Sequence, residues 1–367
     1  MRIKNALVFT GDHTMEKKDL CFEGGVITES SLSGELDASG CYVLPGFIDT
    51  HIHGAFGADF YSSGHLSDPR PAIDELSKRG VTSILMTFAC EKYDEYIEDI
   101  DNVLGIGDDR VAGIHFEGPF VSPEKKGALD PSCIAAPDTD TARKFHERCR
   151  GLLKIMTVAP EIEGAPELIR ALCEMGVKVS IGHTNASAEV ARAAVDIGAS
   201  RSTHTYNAMR SLSHRDPGVL GLVLTDERVC CELICDMCHV SPEAVKLAVR
   251  AKGCDNITMV SDSSFFAGLP EGEYEMRGKR IIVKGGVSML ENGTINGSAS
   301  TLADGAKNMF DLGFSPAEIA VMAAVNPARA AGLSDRGELK DGYRADVIVL
   351  DREFKVKHVF VKGERIL

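Results

Sequence analysis

Apolar stretches of strand length alternate with helical stretches through the middle of the chain, roughly residues 46 to 330. Near-continuous apolar stretches are typical of strands buried on both faces, as in a parallel sheet. There are eight: Gly46–Asp49, Thr82–Thr87, Val111–Phe116, Leu153–Val158, Lys178–Ile181, Arg201–Thr203, Val229–Ile234 and Ile257–Val260. Helices with recognisable ends lie between them; at Ser241-Pro242-Glu243 an N-cap is followed by a proline and an acid. Eight strand–helix units predict an α/β fold, a (β/α)₈ barrel, and Glu273–Gly297 is predicted to add hairpin strands after the eighth strand.

The two ends of the chain have short β-type stretches, such as Ala6–Thr10 and Asp346–Leu350, and no helical period. Strand-rich ends around a mixed middle predict one small β-sandwich domain formed from both termini. The predicted domains are residues 1–45 and 334–367 for the small domain and residues 46–333 for the barrel.

Composition and charge exclude several classes of protein. The 367 residues are 44% hydrophobic and 26% charged, which is typical of a globular domain and not of a disordered chain or a coiled coil. Lys and Arg total 40 against 54 Asp and Glu, and the net charge of −14 disfavours binding to nucleic acid or to an anionic membrane. No stretch reaches the ~18 apolar residues of a membrane span, and the N-terminus has no signal-peptide pattern. The 11 scattered cysteines, an odd number, suit reduced thiols, so we expect a cytoplasmic protein.

Ionisable side chains stand where the predicted strands end. They are His51 and His53 after the first strand, Glu117 after the third, His183 after the fifth, His204 at the sixth, His239 after the seventh and Asp262 after the eighth. In a barrel the carboxyl ends of the strands meet at one face, where active sites lie. Because side chains alternate along an extended strand, His51 and His53 can point at one ion. Imidazoles and carboxylates are ligands for a divalent metal, so we predict a metal centre at this face.

Each of these residues has an ordinary alternative when it is considered alone. His183 or His204 alone would be interpreted as a hydrogen-bonded core histidine, and Asp262 as a helix N-cap or a turn residue. A buried carboxylate such as Glu117 needs a partner, which a metal supplies. Their coincidence at successive strand ends favours the metal interpretation.

Several segments together resemble a known family. They are Leu44–Gly54, His115–Phe120, Gly182–Thr184, Thr203–Met209, His214–Gly218, Asp236–Val240 and the tail from Asn326-Pro327-Ala328 to Gly342–Asp346. This combination resembles the amidohydrolase superfamily, whose members have a TIM-like (β/α)₈ barrel with a small β-sandwich domain. Within that superfamily, essentially the whole chain is similar to the N-acetylglucosamine-6-phosphate deacetylases.

The resemblance implies one or two divalent ions per chain, Zn²⁺ first and Fe²⁺ or another metal otherwise. The implied metal ligands are Glu117, His183 and His204 for one ion, His51 and His53 for a second, and Asp262, which is also the implied catalytic acid/base. The residues implied to line a sugar-phosphate site are Ala128, Asn207, Ala208, Arg215, Asp236, Met237, Cys238, His239, Ile295, Asn296 and Gly297. Arg215 fits this role because a guanidinium matches phosphate geometry, although a solvated loop cation is its ordinary alternative. The implied reaction is hydrolysis of the acetamide of an amino-sugar phosphate, by a homodimer with neither nucleic acid nor membrane as a partner.

Two positions depart from the family pattern and leave alternatives open. Leu129 follows Gly127-Ala128 where the family often has a polar residue, and Phe265 lies in a stretch bulkier than expected. Three alternatives therefore stand: the galactosamine epimer of the same substrate, another amidohydrolase reaction, and a catalytically silent barrel that serves as a scaffold.

Overall fold

The eight apolar stretches form one eight-stranded parallel sheet in which each strand pairs with the next along the chain. The computed structural model describes residues 1–31, 34–61, 68–276 and 279–367. The strands are Phe47–Ile52, Val81–Phe88, Val111–Glu117, Leu153–Val158, Lys178–Ile181, Arg201–Ser202, Cys230–Ile234 and Ile257–Val260. The backbone N–H of Asp262 donates to the carbonyl of His51 at 2.9 Å, and that of His53 donates to Ser263 at 2.8 Å, so the sheet closes on itself. The predicted barrel is confirmed.

The first barrel strand is longer than predicted and continues to Ile52, so that His51 lies within it. The Asp49 carboxylate accepts hydrogen bonds from the backbone N–H groups of His51 and Ser261. These bonds connect the first strand to the last strand beyond the end of the apolar stretch. Polarity alone therefore underestimates a strand that has buried polar residues inside a barrel.

Helices cover the outside of the barrel. The α-helices are Arg70–Lys78, Tyr93–Ile106, Thr139–Arg148, Ala165–Glu174, Ala188–Ile197, Gly218–Thr225, Pro242–Lys252, Leu302–Asp311, Pro316–Ala320 and Asn326–Ala331. Short 3₁₀ turns lie at Pro123–Lys125, Pro131–Cys133 and Cys254–Asn256, and Val321–Val325 is a π-helical turn. The Ser241 hydroxyl accepts the N–H of Ala244, and Ser315 with Glu318 forms a capping box, as these sequences predict. Within the described residues, no helix is both long and apolar enough to cross a membrane.

Strands from both ends of the chain form a second sheet. Its strands are Arg2–Phe9, Met15–Glu23, Val26–Thr28, Glu35–Asp37, Tyr42–Pro45, Val347–Leu350, Val356–Val361 and Glu364–Arg365. Tyr42–Pro45, which directly precedes the first barrel strand, pairs antiparallel with Val347–Leu350. The predicted small β domain from both termini is confirmed, and its sequence boundaries stay a prediction.

A four-stranded antiparallel sheet is inserted between the last barrel strand and the helix Leu302–Asp311. Its strands are Gly272–Met276, Lys279–Lys284, Val287–Leu290 and Ile295–Ser298. The backbone N–H of Ser298 donates to the carbonyl of Asp262 at 2.8 Å, and that of Ser264 donates to Ser298 at 3.0 Å. The inserted sheet is therefore hydrogen-bonded to the residues that follow the eighth strand.

Candidate active site

Six buried side chains converge at the carboxyl ends of the barrel strands. They form two groups whose ligand atoms lie within 4.8 Å of one another, Glu117 with His183 and His204, and His51 with His53 and Asp262. In the first group the Glu117 Oε1 atom lies 3.0 Å from His183 Nε2 and 2.9 Å from His204 Nε2. The predicted ligand residues, up to 211 positions apart (262 − 51), are thus brought together in space.

Glu117 joins the two groups. Its Oε2 atom lies 3.2 Å from His53 Nε2, and its Oε1 atom lies 3.5 Å from His51 Nε2. The Asp262 Oδ1 atom lies 3.2 Å from His53 Nε2 and 3.4 Å from His51 Nε2. The Glu117 carboxylate therefore contacts all four imidazoles. The Asp262 carboxylate contacts two of them, those of His51 and His53.

Hydrogen bonds at the Nδ1 atoms of three imidazoles orient their Nε2 atoms toward the centre of the site. His51 Nδ1 lies 3.0 Å from Glu232 Oε2, His53 Nδ1 lies 3.2 Å from the Thr87 carbonyl, and His183 Nδ1 lies 2.8 Å from the Lys125 carbonyl. These partners are acceptors, so each Nδ1 carries the proton and each Nε2 presents its lone pair to the centre.

The crowding of lone pairs fits a cation. His51 and His53 have their Nε2 atoms 3.2 Å apart, and His183 and His204 have theirs 3.1 Å apart. Nitrogen lone pairs that face each other at this distance need a proton or a metal ion between them. Imidazole nitrogens with carboxylate oxygens are the donor set of Zn²⁺ and similar divalent ions, so the residues present fit a metal centre.

The buried charges hold one another in their ionised forms. Burial alone would raise the pKa of Glu117, but the surrounding histidines outweigh it and hold that pKa well below its usual range. In the same way His51 and His53 outweigh burial at Asp262 and lower its pKa to about 2. Burial opposes protonation of His53, yet the hydrogen bonds to Asp262 and Glu117 raise its pKa to about 9. Without a metal, protons therefore occupy this centre, and metal binding releases them.

A cavity of about 480 Å³ opens above the six side chains. His53, Glu117, His183, His204 and Asp262 form its floor. Of the predicted substrate-binding residues, those that line it are Ala128, Asn207, Ala208, His239, Ile295, Asn296 and Gly297. Its size is in the usual range for small-molecule sites, and a hexose phosphate is in that class.

Residues 42–366, most of the chain, match the Amidohydrolase family. The chain belongs to the amidohydrolase family. This family is metal-dependent, in agreement with the two ligand groups of the barrel.

Several known proteins are similar to this amidohydrolase over most or all of its length. The N-acetylglucosamine-6-phosphate deacetylase of Lysinibacillus sphaericus is 34% identical over 99% of this chain and 97% of its own length. The N-acetylgalactosamine-6-phosphate deacetylase of Escherichia coli O157:H7 is 33% identical over 88% of this chain and 87% of its own. The crystal structure of N-acetyl-D-glucosamine-6-phosphate deacetylase from Mycobacterium smegmatis superposes with a TM-score of 0.92 at 29% identity and covers both chains completely. An aspartate-to-alanine mutant of that enzyme, in complex with N-acetyl-D-glucosamine-6-phosphate, has a TM-score of 0.92 at 28% identity, over 100% of this chain and 99% of its own.

Four predicted substrate-binding residues lie outside the cavity lining. Asp236 accepts the N–H groups of Cys238 and His239 and the hydroxyl of Ser298, and it lies 2.6 Å from His239 Nδ1. Its oxygens are thus occupied by its own loop and by the inserted sheet, which suits a residue that orients His239. Substrate contact by Asp236, Met237 and Cys238 stays a prediction.

Arg215 is the fourth of these residues. It is exposed, in a loop between the sixth strand and the helix Gly218–Thr225. The described residues that line the cavity include neither Lys nor Arg. Arg215 does not line this cavity, and its contact with a phosphate stays a prediction.

The walls of the cavity include apolar side chains at the positions that depart from the family pattern. Leu129 lines the cavity and packs with Ala89, Cys90 and Val121. On the side of the inserted sheet, Phe265 and Phe266 pack in a cluster with Ile281. The two positions that depart from the family pattern, Leu129 and Phe265, are therefore both in the site.

Sequence reasoning missed Glu232 and Arg201, which lie below the metal centre. The Arg201 Nη2 atom lies 3.0 Å from Glu232 Oε1, and both side chains are buried in the barrel. The signal was present, because each is a charged residue within a barrel strand.

Proposed function

We propose that this amidohydrolase converts N-acetyl-D-glucosamine 6-phosphate to D-glucosamine 6-phosphate and acetate. The observation that carries the proposal is the convergence of the six side chains of the two ligand groups, five of which form the floor of a cavity of about 480 Å³. Deacetylases of this substrate that are about a third identical over nearly the whole chain support it.

The electrophile of this reaction is the acetamide carbonyl carbon of the substrate. A divalent ion bound at the metal centre would polarise that carbonyl and would lower the pKa of a water molecule. We propose Zn²⁺ first, with Glu117, His183 and His204 as one ligand set and His51, His53 and Asp262 as a second. Glu117 contacts both sets, so a two-ion centre would share this carboxylate.

Asp262 is the proposed acid/base. The low pKa of its carboxyl, about 2, keeps it ionised and able to accept a proton from the attacking water. It then gives that proton to the leaving amine nitrogen. His239, whose Nδ1 faces Asp236, lines the cavity, where we propose that its Nε2 atom accepts a hydrogen bond from a sugar hydroxyl.

Arg215 is the proposed phosphate partner, and the homodimer predicted from the family favours a second copy as the way it reaches the site. A mixed dimer of Arg215→Ala and Asp262→Asn chains tests this. If Arg215 acts across the interface, mixing restores about a quarter to a half of wild-type turnover, since one site regains both residues. If turnover stays at the level of the parent variants, Arg215 does not act across an interface.

A panel of acetamido sugars tests the function. Acetate release is measured from N-acetylglucosamine, N-acetylgalactosamine and the 6-phosphates of both, with metal quantified in the same samples. We expect the glucosamine phosphate to react fastest. The galactosamine phosphate is the second candidate because a relative that is 33% identical is named for it. No acetate from any phosphate, with metal bound, would contradict the proposal.

A further inference from the structure

We propose that Glu232, held by Arg201, is a positioning residue that fixes the tautomer of His51 and so sets the metal affinity of the His51–His53–Asp262 group. The inference rests on the metal centre of the proposed function. It concerns a residue on the seventh strand, which contributes none of the six ligand side chains.

Both carboxylate oxygens of Glu232 have partners inside the barrel. Its Oε2 atom lies 3.0 Å from His51 Nδ1, and its Oε1 atom lies 3.0 Å from Arg201 Nη2. The side chains of Glu232 and His51 are fully buried, and that of Arg201 is 2% exposed. Each of the two oxygens therefore faces a nitrogen donor, the arrangement that suits an ionised carboxylate beside a buried guanidinium.

A carboxylate on Nδ1 distinguishes His51 from its neighbours. His53 and His183 use backbone carbonyls at the same position, and His204 Nδ1 has no hydrogen-bond partner among the described residues. A carboxylate makes the imidazole a stronger metal donor than a carbonyl does, and it enforces the Nδ1–H tautomer. The two ligand groups are therefore built with different donor strengths.

Glu232 also holds the backbone of the other group. Its Oε2 atom accepts the N–H of His204 at 3.2 Å, and its carbonyl accepts the N–H of Thr205 at 2.9 Å. His204 has a φ of 27°, a conformation that L-residues rarely adopt. The Glu232 side chain thus contacts the ring of one ligand, His51, and the backbone of another, His204.

Arg201 determines which substitutions of Glu232 are informative. Its Nε and Nη1 atoms have no hydrogen-bond partner among the described residues, so Glu232 is its one charged contact within that part of the chain. In Glu232→Gln, the amide N–H₂ must face either Arg201 or His51, both of which are donors. In the double variant Glu232→Leu/Arg201→Met the charges disappear together, which is tolerated far better than one unpaired buried charge.

The test is a zinc titration of chelator-stripped protein in buffers of fixed free Zn²⁺, with bound metal counted directly. His51→Ala identifies the metal class that depends on His51. In both Glu232 variants we expect that class to bind about 10–100-fold more weakly. The class that depends on His183 should weaken less, because the variants lose only a backbone hydrogen bond at His204 and leave the contact between the His204 ring and Glu117 in place. Thr258→Val, a buried change in the eighth strand whose hydroxyl contacts the Cys230 thiol, is the control and should leave both classes unchanged.

Equal weakening of both classes, or unchanged binding of the His51 class in the double variant, would overturn the proposal. The melting temperature of the metal-free variants separates a positioning role from loss of fold, because positioning leaves the metal-free double variant within a few degrees of wild type. The sugar panel separates the two proposals. An inactive wild type that shows the selective zinc effect contradicts the function alone, and an active wild type without that effect contradicts the positioning role alone.

Discussion

Three of the six side chains at the metal centre stand on left-handed backbone. The φ angles are 47° at His183, 27° at His204 and 48° at Asp262. For a residue with a Cβ atom this conformation costs about 1–2 kcal/mol. Each is the second residue after the end of a barrel strand, where the backbone has to turn sharply to aim a side chain at the barrel axis. The rest of the barrel supplies the stability that maintains this strain.

Asp262→Asn separates the proton-transfer role from the ligand role. The amide has the shape of the carboxylate and retains an oxygen ligand, but it cannot accept a proton from water. We expect turnover to fall by about 10²–10⁴-fold with the metal content of the Glu117 group unchanged. Turnover and bound metal are measured on the same preparation. Activity within a few-fold of wild type would place the base elsewhere.

The convergence of the six side chains was predictable from the sequence because it depends on residue type and on strand ends alone. The role of Glu232 was not predictable, because it depends on which residue of another barrel strand contacts the His51 ring. The position of Arg215 was not predictable either, because loop direction is not set by hydrophobic periodicity. Sequence separation likewise gives no indication that the Asp236 oxygens are occupied by Ser298, 62 residues away.

At the scale of elements, Gly297 of the inserted sheet packs closely against the backbone that follows the eighth strand. Gly297 has a φ of +83°, and a Cβ atom there would lie 3.2 Å from the carbonyl oxygen of Asp262. Gly293, in the turn before the same strand, has a φ of +80° with nothing within 4 Å of such an atom. The two positions share a backbone conformation and differ in what surrounds them.

Gly297→Ala and Gly293→Ala form a matched pair. Both substitutions carry the left-handed penalty of about 1–2 kcal/mol, and only the first pushes on the backbone of Asp262. We expect kcat to fall at least tenfold in Gly297→Ala and to stay within twofold of wild type in Gly293→Ala. Steady-state kinetics and thermal unfolding are measured for both. Equal loss of kcat would mean that the inserted sheet does not position Asp262.

The end of the helix Tyr93–Ile106 offers a second pair. Gly105 lies inside the helix, and Gly107 caps it with a φ of 67°. A Cβ atom at either position would meet nothing within 4 Å, so backbone conformation decides the outcome. We expect Gly105→Ala to raise the free energy of unfolding by about 0.5–1 kcal/mol and Gly107→Ala to lower it by about 1 kcal/mol. Denaturant unfolding checks both signs, and the same sign in both variants would contradict the assignment of the cap.

At the scale of the whole molecule, the metal centre connects distant parts of the barrel. Its six side chains come from the first, third, fifth, sixth and eighth strands or the residues that follow them. An ion held there stabilises the folded barrel and not the unfolded chain. Metal occupancy is therefore a property of the fold as well as of the reaction.

Removal of the metal should lower the stability of the whole barrel. At free metal 100-fold above Kd, binding contributes about 2.7 kcal/mol, so we expect chelation to lower the Tm by several degrees and added Zn²⁺ to restore it. His183→Ala is the matched control, since it removes a ligand and should show a smaller shift. A wild-type Tm that is insensitive to chelator, with metal removed, would contradict this expectation.

The pairing of Tyr42–Pro45 with Val347–Leu350 cannot form until most of the chain has been synthesised on the ribosome. The second strand is made 302 residues after the first ends (347 − 45). At roughly 5–20 residues per second this is a wait of about 15–60 s. Throughout that time one edge of the early strand is open to pairing with another nascent chain. Translation speed and chaperone supply should therefore affect the yield of this enzyme in ways that the equilibrium stability of the finished molecule does not report.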